Sequence, residues 1–426
     1  MKRSESTLSY YATALGPERR REPLGGSLHV DVCVVGGGIA GCSAALHLAQ
    51  RGYRVALLEA RQVGWGASGR SGAQAIFGVA ASQDKLDSLV GARDARAIWD
   101  LSIEALTLLR ELIARHNIDC DYVAGQMHVA VKARQAGELE RWHAALTRRY
   151  DYRSVRLLDR AALPTEVASE RYIAGLHDSN SGHLQPLAYV RGLAHAAESA
   201  GVQIFEQTRA LKFSADATVA VHTTGGEVRC ANLLLAGNAW LGDTAPQLAR
   251  RIMGVGTYIV ATEPLGAARA RALIPGNAAI TDINWVLDYF RRAADHRLLF
   301  GGRVSYSGLE PGNSAHATRM RMLKVFPQLR DVRIAHAWGG YVDITLNRAP
   351  DFGRLASNVY YLQGFSGHGI ALTGLAGKLV AEAIAGNAER FDVFTRIPHR
   401  EFPGGTALRR PLLVLAMLFY RLRDLL

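Results

Sequence analysis

The residues best suited to chemistry begin at Gly36-Gly37-Gly38-Ile39-Ala40-Gly41, where Gly36, Gly38 and Gly41 fit the spacing G-x-G-x-x-G. Each glycine in that spacing has a mechanical task. Gly36 permits a tight turn, Gly38 carries no side chain to hold off a pyrophosphate, and Gly41 lets a helix pack closely on a strand. A helix starting there points its dipole and its first N–H groups, those of Ile39 and Ala40 included, at an anion. Glu59 follows 23 residues after Gly36. With its neighbours Ala60 and Arg61 it is placed to meet an adenosine ribose, and its charge repels a 2′-phosphate, which disfavours NADP. The competing reading is a glycine turn beside an ordinary surface Glu, and it must treat strand, spacing and acid as a coincidence.

An adenosine diphosphate half is common to NAD and FAD, so two further glycine turns decide between them. Gly64-Trp65-Gly66-Ala67-Ser68-Gly69-Arg70-Ser71-Gly72 lets backbone amides and hydroxyls approach a second stretch of an elongated ligand. Gly364-Phe365-Ser366-Gly367-His368-Gly369, followed by Ile370, opens another helix near the far end of the chain. Reduced flavin carries negative charge near N1 and the C2 carbonyl, which suits a helix N-terminus. Two anion-seeking helix ends, one for a pyrophosphate and one for an isoalloxazine ring, point to FAD. Ala210 and Gly237 complete the cofactor-binding candidates.

These turns need elements to hold them. Val30–Val35, with four valines, reads as a buried parallel strand. Ile39 to Gln50 reads as a helix stopped by Gly52, and Val55–Leu58 as the next strand, which makes one βαβ unit. Residues 85–150 read as largely helical with a strand at Gln126–Lys132, and residues 255–305 alternate like antiparallel strands. Leu233–Ala236 and Val359–Leu362 are further buried strands that end in glycines. The expected architecture is α/β: a discontinuous Rossmann-like FAD-binding domain (28–80, 183–240 and 336–395) and a mixed α+β substrate domain built on an antiparallel sheet (81–182 and 241–335). Residues 1–27 read as a polar arm and 396–426 as a C-terminal extension.

Composition limits the alternatives. A chain of 426 residues, 49% hydrophobic and 21% charged, is expected to be a soluble globular protein of two or three domains. The formal charge of +12 comes from 50 basic residues, of which six are Lys, against 38 acidic ones. They are scattered rather than clustered, so nucleic-acid binding is not expected, although the charge keeps a nucleic-acid-binding flavoprotein as a third possibility. Cys33, Cys42, Cys120 and Cys230 show neither a disulfide framework nor metal-ligand spacing, so no metal is expected. The first residues lead into no apolar signal segment, which makes the cytoplasm the expected compartment. The longest apolar run, Leu412–Tyr420, has nine residues, well short of the ~20 a spanning helix needs.

Several longer stretches carry a family resemblance. They are Ser9-Tyr10-Tyr11-Ala12, Val34 to Gly41, Gly66 to Gln74, Gly182-His183-Leu184-Gln185-Pro186-Leu187 and Tyr289-Phe290-Arg291. Further on come Leu299 to Arg303, Trp338-Gly339-Gly340, Asn347 to Arg354, and Gly364 to Thr373. Over nearly its whole length the chain resembles the FAD-dependent glycine/D-amino-acid oxidase (DAO) family. The resemblance implies oxidation of an amine by hydride transfer to flavin N5, hydrolysis of the imine, and reoxidation by O2 to give H2O2. The nearest members of that family act on a polyamine capped by a gamma-glutamyl group. Such a substrate has a carboxylate, which Arg291, Arg303 or Arg348 could clamp, although for each a structural ion pair or a solvated charge is an equal alternative.

Two departures from the family pattern stand out. Ser71 replaces an Asn and Ala73 a Gly in the second turn, and because Ala resists positive φ the backbone there is expected to differ. Covalent flavin attachment in relatives uses a late Cys or an early-loop His, yet no Cys follows Cys230 and no His lies between His47 and His116, so dissociable FAD is expected. His368 is the leading catalytic candidate, with Tyr289, Arg291 and Trp338 beside it. Core packing competes for Tyr289 and Trp338, and His183 stands evenly between a site role and structure. None of the six Lys fits an oxygen-activating motif. The main functional alternative is a dehydrogenase passing electrons to a quinone at a membrane surface, with Pro411–Leu426 as an interfacial helix.

Overall fold

A computed structural model describes residues 9–305 and 314–403. The segment Pro411–Leu426 lies outside the described residues. The valine-rich stretch forms the strand Gly26–Val35, buried without a break from Val32 to Val35, as expected of a β-branched run covered on both faces. It pairs in parallel with Val55–Leu58 on one side and with Gly226–Leu235 on the other. Val359–Gln363 and Gln203–Phe205 extend the sheet in parallel, and Asp351–Ala356 closes one edge antiparallel. The hairpin Ala210–Ala215 and Val219–Thr223 leans on the outer half of Gly226–Leu235.

Helices Ile39–Ala49 and Gly369–Ile384 start at the first and third glycine turns and pack on each other. The Ser43 hydroxyl donates to the Gly374 carbonyl at 2.6 Å. A Cβ at Gly377 would fall 2.6 Å from the Ala40 carbonyl oxygen, so the close crossing depends on glycine. Turns more than 300 residues apart in sequence are thereby brought onto neighbouring helices.

The second sheet runs in the order Ile334–Ile344, Met253–Thr262, Leu298–Ser305, Tyr289–Arg292, Ala279–Asp282, Val123–Ala130, Ala174–His183, Gln74–Ala75. Pairing is antiparallel except between Ala279–Asp282 and Val123–Ala130. One face is apolar: Met127, Val129, Ile280, Phe290 and Phe300 pack against Met322 and Val325 of helix Ser314–Val325. Because Gln74–Ala75 and Ile334–Ile344 join this sheet, the chain changes sheet inside the segments 28–80 and 336–395. Strand pairing, not nearness in sequence, sets that membership.

The arm also differs from the expectation of a polar lead-in. Ser9 caps helix Tyr10–Leu15 through the Ala12 amide, and both Tyr10 and Tyr11 are buried. The buried Arg21 side chain bonds Glu198 at 2.7 Å and Glu206 at 3.3 Å. Ser9, Tyr10, Tyr11 and Leu24 join the core while most of the residues between them are exposed, because two aromatic rings and a paired guanidinium supply contacts that polar composition conceals.

Candidate active site

The first turn closes as its spacing demands. Gly36 has φ +116°, and a Cβ there would lie 2.7 Å from the Ala236 carbonyl oxygen and 2.9 Å from the Gly237 amide. A Cβ on Gly41 would meet the Gly36 carbonyl oxygen at 1.9 Å, so helix and strand touch through backbone alone. Gly38 faces the Ser68 hydroxyl, which accepts the Ile39 amide at 3.0 Å and links the second turn to the first helix end. The Glu59 carboxylate accepts the amides of Gly37 (2.7 Å) and Arg61 (2.8 Å), and burial pushes its pKa up. Each carboxylate oxygen keeps a second acceptor position, so ribose hydroxyls remain compatible with this geometry. Arg61 lies over the Trp65 ring at 5.6 Å. Ala210 packs in the apolar cluster beneath the turn, with Val35, Leu58 and Leu235, and its carbonyl accepts the Thr244 hydroxyl. A helix end that Gly38 does not cap, whose Ile39 amide is taken by Ser68, and a close-approach glycine beside an acceptor carboxylate fit an adenosine diphosphate.

The second turn is fastened to the polar face of the second sheet. Trp338 donates from Nε1 to the Arg70 carbonyl at 2.9 Å, and Arg70 returns a bond from Nε to the Gly339 carbonyl at 2.8 Å. A Cβ on Gly72 would lie 2.5 Å from the Tyr289 ring, and one on Gly301 2.1 Å from it, so the ring is held between two glycines. Gln74 accepts the Thr281 hydroxyl at 2.6 Å. The Tyr11 hydroxyl donates to the Ser71 carbonyl at 2.9 Å and accepts from Arg291 Nη2 at 3.3 Å. Arg291 is 4% exposed and also donates to the carbonyls of Gly72 and Arg292. Its donors thus hold the turn, which is the structural alternative to a carboxylate clamp. Ala73 corrects the backbone expectation: it adopts φ +63° despite its Cβ. Its amide donates to Ser71 Oγ at 3.3 Å and its carbonyl accepts the Leu184 amide at 3.2 Å. Neighbouring bonds of this kind hold a conformation that costs ~1 kcal/mol or more.

The third turn carries positive φ at Gly364, Ser366 and Gly367, and the Gly364 amide donates to the buried Asp343 carboxylate. Helix Gly369–Ile384 begins after His368 with no side-chain cap, which leaves its first-turn amides for a ligand. Ile370 is buried beneath it. Burial, and next the nearby Arg348 charge, push the His368 imidazole down to about 4, so it is neutral at pH 7. Arg348 is exposed on a residue of φ +67°. Arg303 pairs with Tyr258 through its strand, but its side chain lies outside what is described. His183 is 1% exposed; its Nε2 bonds the Asn277 carbonyl at 2.7 Å, while its Nδ1 has no hydrogen-bond partner.

Tyr11, Gln74 and Thr281 bond at the second turn, and His128 lies on the same sheet face as Thr281; the sequence assigned none of the four a role. Gln74 closes the family stretch that begins at Gly66, and Tyr11 lies in another such stretch, so both had a signal. His128 had none beyond its place on an alternating strand.

A Rossmann-like cradle joined to an antiparallel sheet with a polar face defines a flavin-dependent oxidoreductase. The family profile described as FAD dependent oxidoreductase (DAO) matches residues 31–383, and the chain belongs to that family. It is 42% identical over 426 residues to the gamma-glutamylputrescine oxidoreductase of Escherichia coli (strain K12), covering 99% of each chain. A Haemophilus influenzae protein named probable oxidoreductase OrdL is 39% identical, with 99% of this chain and 98% of that one covered. Among solved structures, glycine oxidase from Geobacillus kaustophilus superposes with a TM-score of 0.71 at 22% identity, covering 84% of this chain and 95% of that one. Among the described residues no single helix is long and apolar enough to cross a membrane.

Proposed function

We propose that this enzyme oxidises gamma-glutamylputrescine, or an amine closely similar to it, in the cytoplasm. The chemistry a bound FAD would supply is oxidation of the bond between the amine nitrogen and its neighbouring carbon, with N5 as the hydride acceptor, water to hydrolyse the imine and O2 to take up the two electrons as H2O2. Gly36, Gly38, Gly41 and Glu59 would hold its adenosine diphosphate half, and the amides after His368 would face the pyrimidine edge of its ring. Arg348, close enough to His368 to oppose its protonation, would receive the substrate carboxylate. The observation that carries the reading is the packing of helices Ile39–Ala49 and Gly369–Ile384, which brings the turns for both halves of one long cofactor together. All four cysteines are buried, which supports FAD that dissociates.

The test is to add amines anaerobically and follow the ~450 nm flavin band, then to admit air and assay peroxide. Bleaching by gamma-glutamylputrescine followed by peroxide is expected. Acid precipitation should release the flavin into the supernatant. A band that no amine bleaches would refute the reading, and dye reduction without peroxide would assign the electrons to another acceptor.

A further inference from the structure

Across the second sheet, one row of directly paired residues runs Trp338, Ile259, Gly301, Tyr289, Thr281, His128. Paired residues in a row point to the same face. The second glycine turn covers this row at Trp338, Tyr289 and Thr281 and leaves His128 beyond its cover, paired in turn with the buried Leu176 of strand Ala174–His183. The strand neighbours Met127 and Val129 point the other way, into the apolar core.

His128 is buried between Trp142, at 4.8 Å between ring centres, and Phe77, at 6.5 Å. The His368 ring of the third turn comes near enough for a charge on it to oppose one on His128. Three polar atoms here have no hydrogen-bond partner: His128 Nδ1, and both Oε1 and Nε2 of the fully buried Gln126, two residues earlier on the same face. Unpaired buried polar atoms are costly and uncommon, so a cluster of them beside a candidate site indicates what a ligand must bring. Burial pushes His128 down to about 3 and His368 to about 4, so both are neutral at pH 7. Between them the orphaned atoms include a donor and an acceptor. A carboxylate offers acceptors alone and an ammonium donors alone, whereas an amide offers one of each.

We propose that His128, backed by Gln126, is the specificity-determining receptor for an amide in the interior of the substrate. The inference rests on the amine-oxidation reading and deepens it: the preferred substrate class is an acylated diamine rather than a free diamine or an amino acid. His128 acts on selection of the substrate and leaves the cofactor cradle untouched.

The test compares gamma-glutamylputrescine and N-acetylputrescine with putrescine, using the FAD-loaded full chain and its variants His128→Phe and His128→Asn. Phe keeps an aromatic ring against Trp142 and Phe77 but removes both nitrogens, and Asn restores a donor and an acceptor. For His128→Phe, kcat/KM on the two amides should fall about tenfold to a hundredfold, mostly through KM, with putrescine within about twofold. FAD content should be unchanged, and His128→Asn should recover part of the amide preference. An equal loss on all three substrates in both variants, or no loss in either, would overturn the inference while amine oxidation stands. A wild-type flavin that none of the three bleaches would overturn both.

Discussion

The two sheets solve the problem of holding a ligand in opposite ways. At the first sheet, the first glycine turn is backbone against backbone, with the added Cβ of Gly41 falling 1.9 Å from a carbonyl oxygen, and most of its parts lie between Gly36 and Glu59. At the second, Trp338, Tyr289, Thr281 and His128 come from four strands of one row, with Ile259 and Gly301 between them, and polar atoms of His128 and the nearby Gln126 have no partner of their own. A backbone cradle suits a cofactor whose shape does not vary. A side-chain row with unused hydrogen-bonding capacity suits a substrate that differs among related enzymes.

Breaking the cradle is expected to have the largest effect. Gly41→Ala places a methyl group on the Gly36 carbonyl, which cannot move without opening the turn. A loss of ~3 kcal/mol or more follows, seen as colourless protein and a lowered Tm. Yellow, stable Gly41→Ala protein would remove the contrast between the sheets.

Acid should reach both layers, through His128 and His183 on strands of the second sheet, His47 in one of the two crossing helices and His368 at the start of the other. Burial pushes His128 and His183 down to about 3, and His47 and His368 to about 4, from an ordinary value of 6.5. Between those limits the unfolded chain binds protons that the folded chain refuses, so their stabilising contribution is complete above pH 6.5 and is lost as the pH falls below it. Asp282, raised by burial to about 7 from 3.8, has the opposite sign over its own window, since the folded chain holds that proton more tightly. Glu59, Asp121, Asp288 and Asp343 are raised by burial as well, and His116, His177, His336 and His399 are lowered by it. Eight lowered histidines against five raised carboxylates among the described residues predict a Tm that drops between pH 7 and pH 4.5. His128→Phe should make the slope shallower, and an unchanged slope would show that this imidazole is not the buried neutral group described.

The smallest effect is expected where the cradle meets the row. Ala73→Gly relieves a φ of +63° and should raise stability by ~1 kcal/mol or less, because the freer unfolded chain offsets part of the gain. A fall in Tm would mean that the Ala73 methyl group packs more usefully than its backbone is strained.

Much of this was legible without coordinates. The βαβ unit announced itself because valine runs, glycine spacing and a terminal acid are all local, and each reports a backbone need that no distant contact alters. The aromatic and arginine candidates were harder to read. Trp338 and Arg291 were recognised as important, yet their hydrogen bonds to the second turn, and the part played by Tyr11 in a polar-looking arm, depend on contacts spanning more than 200 residues.

Residue order alone was enough to establish the cofactor class, the parallel strands beside it and the positions of three glycine turns, two of which open helices, since these follow from which residues tolerate a turn, a close approach or burial on both faces. Only folding in three dimensions decided which strands share a row, which buried polar atoms lack a partner, and where the sheets exchange chain. Register and pairing are settled by the summed burial of a whole sheet, and no local window of sequence contains that sum.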